Sequence, residues 1–365
     1  MLSEGRGKLN LHKDKTAFRT LIERIHDRTG YRTDVLEKDY YVVLVLKELA
    51  DKQNAGLPAY FKGGTALYKA LKTLNRFSED IDLSVDTRNC SRSQNDKRLE
   101  QATKKYVALD RDASAGRTNR SEIISIYTYD PVSSFDAGDA LQRFGKLKIE
   151  ATSFTISEPV ESLDITPMIY ELATESEKKV LSDEYGVSCF DVKTITVERI
   201  FIDKLFAAEA YVKRSDDSLK AFEAAKHLYD LAVMIEQPRI RSLVADEKQM
   251  GKLLDIRMKE EIDRLDGIPG VKPNEFTFFD TVFDNKSVRE AYAVMEKQYV
   301  LQPEYRLPFD TAVNKIGEIH DLLMQNKEWA NYKMGVELRF KILEKKNEQH
   351  NFDESFHHRS DELER

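Results

Sequence analysis

Between Lys15 and Asp51, apolar residues return every three or four positions, and Leu36, Tyr40, Val43, Leu46 and Ala50 fall on one helical face. The spacing predicts a helical region with one buried face, split near Gly30. Lys52–Pro58 breaks the pattern with polar residues, Gly56 and Pro58. Tyr60-Phe61-Lys62 then reads as a strand end, Gly63-Gly64-Thr65 as a turn, and Ala66–Lys72 as a helix. Asp80-Ile81-Asp82-Leu83-Ser84-Val85 alternates with period two, the signature of a strand. Further strands are expected at Ile123–Tyr129 and Gly145–Phe154, and a helix inside the polar stretch near Leu99–Leu109. From Val197 the period is helical through Tyr211, again from Leu219 to Ile235, and finally over Phe309–Leu323. Pro269, Gly270 and Pro273, then Pro303 and Pro308, punctuate this later half.

The fold class expected is α+β. Strands concentrate in residues 1–185, residues 186–345 form a helical domain, and 346–365 are a polar tail without an apolar face, expected to be disordered. The boundary falls between Glu171 and Lys193.

Composition narrows the function classes. The 365 residues suit about two domains. A charged fraction of 33% and a net charge of −7 exclude a histone-like polycation, although residues 86–122, with nine Lys or Arg against six Asp or Glu, carry a local excess of +3. Cys90 and Cys189 cannot make a disulfide framework or a cysteine-only zinc site, and none of the seven histidines has HExxH spacing. The N-terminus has no apolar signal core, and the longest apolar stretch, Tyr40–Leu46, is seven residues long and cannot span a bilayer. A reducing, cytoplasmic location without membrane contact is the default expectation.

Two clusters carry candidate chemistry. A double glycine between a strand and a helix lets backbone N–H groups approach an anion, and the helix N-terminus adds its positive dipole end. Taken alone, Gly63-Gly64-Thr65 reads at least as readily as a tight structural turn. Asp80 and Asp82 change the balance: alternate strand residues share a face, and two adjacent carboxylates need a cation between them. Paired carboxylates suit Mg²⁺, which also takes phosphate oxygens as ligands. A solvated polar strand edge is the alternative.

The block FKGGTALYKALKTLNRFSEDIDLSV resembles the signature of the nucleotidyltransferase superfamily. It is most similar to the AbiEii/AbiGii-type toxin family, with its form GGTAL…RFSEDIDLS and fifteen residues between Gly64 and Asp80. The resemblance extends in patches over roughly residues 35–325. It implies a nucleotidyltransferase-like mixed sheet with helices in the first domain, and a helical second domain that completes the cleft. It also implies a third carboxylate on a later strand. In Gly145–Phe154, Leu147, Ile149 and Ala151 share one face, while Lys146, Lys148, Glu150 and Thr152 share the other. Glu150 is the candidate, with Asp164 in competition; a pairing of Glu150 with a neighbouring lysine is the structural alternative. Arg76 and Ser78, in the RFSED form, are further candidates for phosphate contact.

In the helical half, Lys204 falls on the stripe Val197, Ile200, Phe201, Leu205 and Ala208. A lysine there must snorkel or meet an anion. The resembled family carries a lysine at this place and the form RDLYDL later, against Lys226-His227-Leu228-Tyr229-Asp230-Leu231 here. The implied role of Lys204 is to offset triphosphate charge, with Asp230 orienting it. An ion pair between the two is the structural alternative, and His227 is assigned to a surface or packing role.

Together the resemblance implies transfer of NMP from an NTP to an acceptor hydroxyl with release of pyrophosphate. Asp80, Asp82 and Glu150 would hold two Mg²⁺ ions, with Mn²⁺ an alternative. Gly63, Gly64, Thr65, Arg76, Ser78 and Lys204 would bind the nucleotide, and Asp230 would join Lys204 in catalysis. The implied acceptor is RNA, with the tRNA 3′ end a target; the implied biology is a bacterial toxin with a cognate antitoxin. A protein or small-molecule acceptor, or an inactive nucleotide- or RNA-binding module, are the rival readings.

Overall fold

The structure is a computed structural model that describes residues 10–71, 76–119, 121–133, 145–263 and 272–333. The tail expected at 346–365 lies outside the described residues. The chain forms two compact units. Among the described residues, one runs to Phe201 and includes Arg289–Phe309; the other comprises Ile202–Val288 and residues 310–333.

The first unit opens with helices α1 (Lys15–Thr29) and α2 (Thr33–Asn54). Gly30 ends α1 at φ 73°, a left-handed conformation that glycine adopts without a Cβ penalty, and its N–H donates to the His26 carbonyl. Strand β1 (Ala59–Lys62) leads directly into α3 (Gly63–Ala70), so the expected glycine turn is compressed into the first residues of the helix. Then follow β2 (Ile81–Val85), α4 (Arg92–Thr103), β3 (Asp110–Asn119), β4 (Glu122–Thr128), β5 (Lys146–Thr152), β6 (Val160–Ile165), α5 (Met168–Glu171), α6 (Glu175–Asp183) and β7 (Phe190–Ile195). The seven strands form one sheet in the order β3-β4-β5-β2-β1-β7-β6. β2 runs parallel to β5 and β1 parallel to β7, while the other neighbours are antiparallel. β7 carries the sheet past residue 185.

The polar stretch folds differently from expectation. The helix placed near Leu99–Leu109 instead runs Arg92–Thr103, because Ser91 and Gln94 form a capping box at its start. The remainder becomes β3, which lies at the sheet edge beside β4 and is largely exposed.

Period-two alternation sorts the central strands. Phe61, Ile81, Leu83, Val85, Leu147, Ile149 and Ala151 are fully buried. Helix α4 packs against β2, β4 and β5, and α2 against β7. The opposite residues of the same strands, Lys62, Asp82, Lys148 and Glu150, occupy the other face.

The second unit contains most of α7 (Val197–Val212), then α8 (Ser218–Met234), α9 (Pro238–Ala245), α10 (Glu247–Asp263) and α11 (Phe278–Thr281). Helix α12 (Lys286–Tyr299) passes from this unit into the first, and α13 (Phe309–Gln325) and α14 (Lys327–Ala330) follow. Phe276 packs edge-on against Phe206 and Trp329, and buried Glu209 accepts from the backbone N–H groups of Thr277 and Phe278 at the start of α11. Among the described residues, no helix is long and apolar enough to cross a membrane.

Candidate active site

In the parallel β2–β5 register, Asp82 stands opposite Glu150, so both carboxylates project from the same face of adjacent strands. Asp80 precedes β2 by one residue. Asp164, the competing candidate, lies on β6 at the far edge, with β1 and β7 between it and β2, and its register partner is Asp191. Glu150 is therefore the residue that the fold places beside the aspartate pair.

The glycines meet this pair from β1–α3. Gly63 has φ 80°, and a Cβ there would collide with the Asp82 carboxylate. A Cβ on Gly64 would come within 2.9 Å of Ser78 Oγ and 3.1 Å of an Arg76 guanidinium nitrogen. Thr65 Oγ1 donates to Ser78 Oγ at 2.9 Å. Among the described residues, no side chain caps the N-terminus of α3. Its first N–H groups, the Arg76 guanidinium, Ser78 and the carboxylate pair thus surround one small region of the first unit. Gly63→Ala is expected to cost about 1–3 kcal/mol of stability, through strained φ and displacement of Asp82, and to lower any activity that needs Asp82. Denaturant unfolding of the variant checks the first effect; unchanged stability would mean that the Asp82 carboxylate swings away freely.

Buried polar groups on α2 hold these pieces in place. Lys38 donates to the Lys146 carbonyl at the start of β5 and lies 3.7 Å from Glu79, the neighbour of Asp80. Asp39 accepts from Lys69 of α3 and, at 2.6 Å, from the Met168 backbone N–H. Phe77 N–H donates to the Tyr299 carbonyl at 2.8 Å, and Arg76 bridges to Val300, so a segment over two hundred residues downstream pins the RFSED stretch.

Lys148 completes the electrostatics. Its ammonium lies 3.0 Å from Asp80 and 3.5 Å from Glu150. Burial works against its charge, but Asp80, Asp82 and Glu150 together outweigh burial and hold the amine above its ordinary range. Burial, then Glu150 and Asp80, push the Asp82 carboxyl up to about 6. A folded value above the unfolded one means that Asp82 contributes stability at low pH and loses it as pH rises through about 6. The stability difference between wild type and Asp82→Asn should therefore change between pH 4 and about 6 and flatten above; a difference independent of pH would show an unperturbed carboxyl.

Beside the carboxylates, Ser84 Oγ contacts Thr155 Oγ1 at 2.7 Å and Ser157 Oγ at 2.8 Å, and Lys62 donates to Thr152 Oγ1 at 3.3 Å. Sequence reasoning passed over this hydroxyl chain, although Ser84 and Thr152 follow Asp82 and Glu150 at the same two-residue step.

An oxygen-only donor set suits a hard divalent cation, and the Lys148 ammonium marks a place where these carboxylates accommodate positive charge. The residues fit Mg²⁺ in chemistry. Among the described residues, however, no three acidic, histidine or cysteine side chains are already gathered closely enough to grip a metal.

In the second unit, Lys204 is buried and donates to Asp230 at 2.5 Å; Asp230 has no solvent exposure. The helices bring these two candidates together as an ion pair. His227 stacks on Tyr211 with ring centroids 5.3 Å apart, the packing side of the surface or packing role expected of it.

The seven-stranded mixed sheet with its helices is of the α+β class expected, consistent with a nucleotidyltransferase-like fold. The family model described as "Nucleotidyl transferase AbiEii toxin, Type IV TA system" matches residues 45–315, and the chain belongs to this family. A toxin of a type IV toxin–antitoxin system implies an antitoxin partner. Among solved structures, JHP933 from Helicobacter pylori is similar at 18% identity and TM-score 0.37, covering 82% of this chain and 98% of that one. A candidate nucleotidyltransferase from H. pylori is similar at 17% identity and TM-score 0.37, with the same coverage. No curated protein matches the sequence.

Proposed function

We propose that this toxin is a Mg²⁺-dependent nucleotidyltransferase that moves NMP from an NTP to a hydroxyl of RNA, with the tRNA 3′ end as a target. The observation that carries the reading is the register of Asp82 against Glu150 on parallel strands, with Asp80 adjacent and the glycine start of α3 against Asp82.

Asp80, Asp82 and Glu150 would hold Mg²⁺, which when bound lowers the acceptor hydroxyl's pKa and offsets charge on the leaving pyrophosphate. The N–H groups at Gly63, Gly64 and Thr65 and the Arg76 guanidinium bind phosphate oxygens. The acceptor oxygen bonds to the α-phosphorus, the bond to the bridging oxygen breaks, and pyrophosphate leaves as the hydroxyl proton passes to solvent. Lys204 and Asp230 are the second unit's candidates for a part in the reaction.

Support for RNA is electrostatic. The local basic excess of residues 86–122 is the feature that supports an anionic polymer as acceptor. The test is incubation of the protein with each labelled NTP, Mg²⁺ and total RNA, in parallel with total protein. Labelled RNA supports the reading; label in protein moves the acceptor class, and no labelled product with any NTP removes the transferase reading.

A further inference from the structure

Lys148 and Glu150 are two residues apart on β5, so both side chains stand on the face that carries Asp82. The ammonium of Lys148 touches Asp80 at 3.0 Å and approaches Glu150 at 3.5 Å. These are the same carboxylates that a divalent ion would require. The lysine is therefore a counter-ion to two of the three carboxylates.

Its setting differs from that of the other lysines nearby. Lys38 and Lys69 keep 2% and 6% of their side chains exposed and act as fixed ties between elements, whereas Lys148 keeps 33%. With a third of its side chain exposed, the amine has room to turn away without unpacking the core.

We propose that Lys148 is the resident cation of the free site: it pairs Asp80 and Glu150, beside Asp82, until a divalent ion displaces it, and the released ammonium then pairs with the nucleotide's phosphates. The inference rests on the reading of those three residues as metal ligands. An ammonium and a divalent ion cannot share one set of carboxylate oxygens, because like charges at that range repel strongly. Displacement without nucleotide strands the lysine; displacement with a triphosphate present gives it a new anion. Metal affinity is thereby coupled to nucleotide, and the free toxin binds metal weakly. Lys148 acts as a positioning residue for the carboxylates, and sets the order in which the reactants assemble.

The test is calorimetric titration of the full chain with Mn²⁺ alone, without nucleotide, for wild type, Lys148→Gln, Lys148→Arg and Asp82→Asn. Loss of a charge-assisted contact that competes with the metal predicts that Lys148→Gln binds Mn²⁺ about 10- to 100-fold more tightly than wild type. Lys148→Arg, which keeps the charge, should stay near wild type, and Asp82→Asn should lose binding. Equal affinity in wild type and Lys148→Gln, with binding still lost in Asp82→Asn, overturns the proposal and leaves the metal site standing. No Mn²⁺ binding by any of the four overturns both. Should Lys148→Gln fail to fold, the wild-type chain with ¹³C-methylated lysines gives the second measurement. The Lys148 resonance, assigned by its loss in Lys148→Arg, should shift on addition of Mg²⁺ and nucleotide; an unmoved resonance overturns the displacement.

Discussion

Asp82→Asn should abolish toxicity and make the protein more stable at the same time. Asp82 is the centre of the carboxylate set: it faces Glu150 across the β2–β5 register and crowds Gly63. If the three acids hold Mg²⁺, removing one ligand should cost more than the ten- to hundredfold typical of losing a mere supporting contact around a metal. Growth arrest on expression should disappear, and Asp80→Ala should act alike. Stability moves the other way. Burial and two neighbouring acids push Asp82 up to about 6, so its ionised form at neutral pH is held against an unfavourable field. A tenfold change in proton affinity on folding is worth about 1.4 kcal/mol, and an isosteric amide should recover about 1–3 kcal/mol at pH 7. A folded Asp82→Asn protein that still arrests growth would end the catalytic reading. A variant that is inactive but no more stable would show that Lys148 already neutralises the site in full.

Much of this site was legible because strand alternation is strict. Asp80 and Asp82 could be assigned to one face from spacing alone, and Glu150 to the polar face of its own strand; the flanking Ile81, Leu83, Ile149 and Ala151 are buried as that pattern requires. Gly63 and Gly64 read as a turn that needs to lack side chains, and the Asp82 and Arg76 contacts give the reason. Long-range partners were not legible. Nothing local ties Arg76 and Phe77 to Val300 and Tyr299, or Lys38 to Lys146. Lys148 was visible as a neighbour of Glu150, but its contact with Asp80 depends on a parallel pairing that spacing along the chain does not specify.

The misplaced elements share a cause. β3, with the sequence Asp-Arg-Asp-Ala-Ser-Ala-Gly-Arg-Thr-Asn, has no apolar face because it is an edge strand with little to bury. α4 buries only Leu99, Ala102 and Thr103, so its apolar residues marked its end and not its start. Hydrophobic period reports burial, and elements that bury little escape it.

Lys204→Ala is expected to destabilise the second unit by about 3–5 kcal/mol, because it strips a fully buried carboxylate of the ammonium 2.5 Å away. Asp230→Ala should cost a similar amount by exposing the converse imbalance. Replacing both at once, Lys204→Met with Asp230→Leu, removes two charges and leaves apolar side chains of similar bulk, which for buried pairs is often close to neutral. The losses of Lys204→Met and Asp230→Leu taken singly should thus be far from additive, and denaturant unfolding of these two and of the double variant measures the coupling directly. The same double variant separates structure from function. Removal of a charge-assisted contact to phosphate costs about 1.5–3 kcal/mol, or roughly 10- to 150-fold in transfer. If the lysine serves the reaction, the double variant should be folded, stable and impaired by about that factor. If the pair only fills the core of the helical unit, the double variant should transfer nucleotide at the wild-type rate. Lys204→Arg gives the finer reading: a planar fork retains the charge but not the compact ammonium, so stability should suffer less than in Lys204→Ala while transfer recovers only in part.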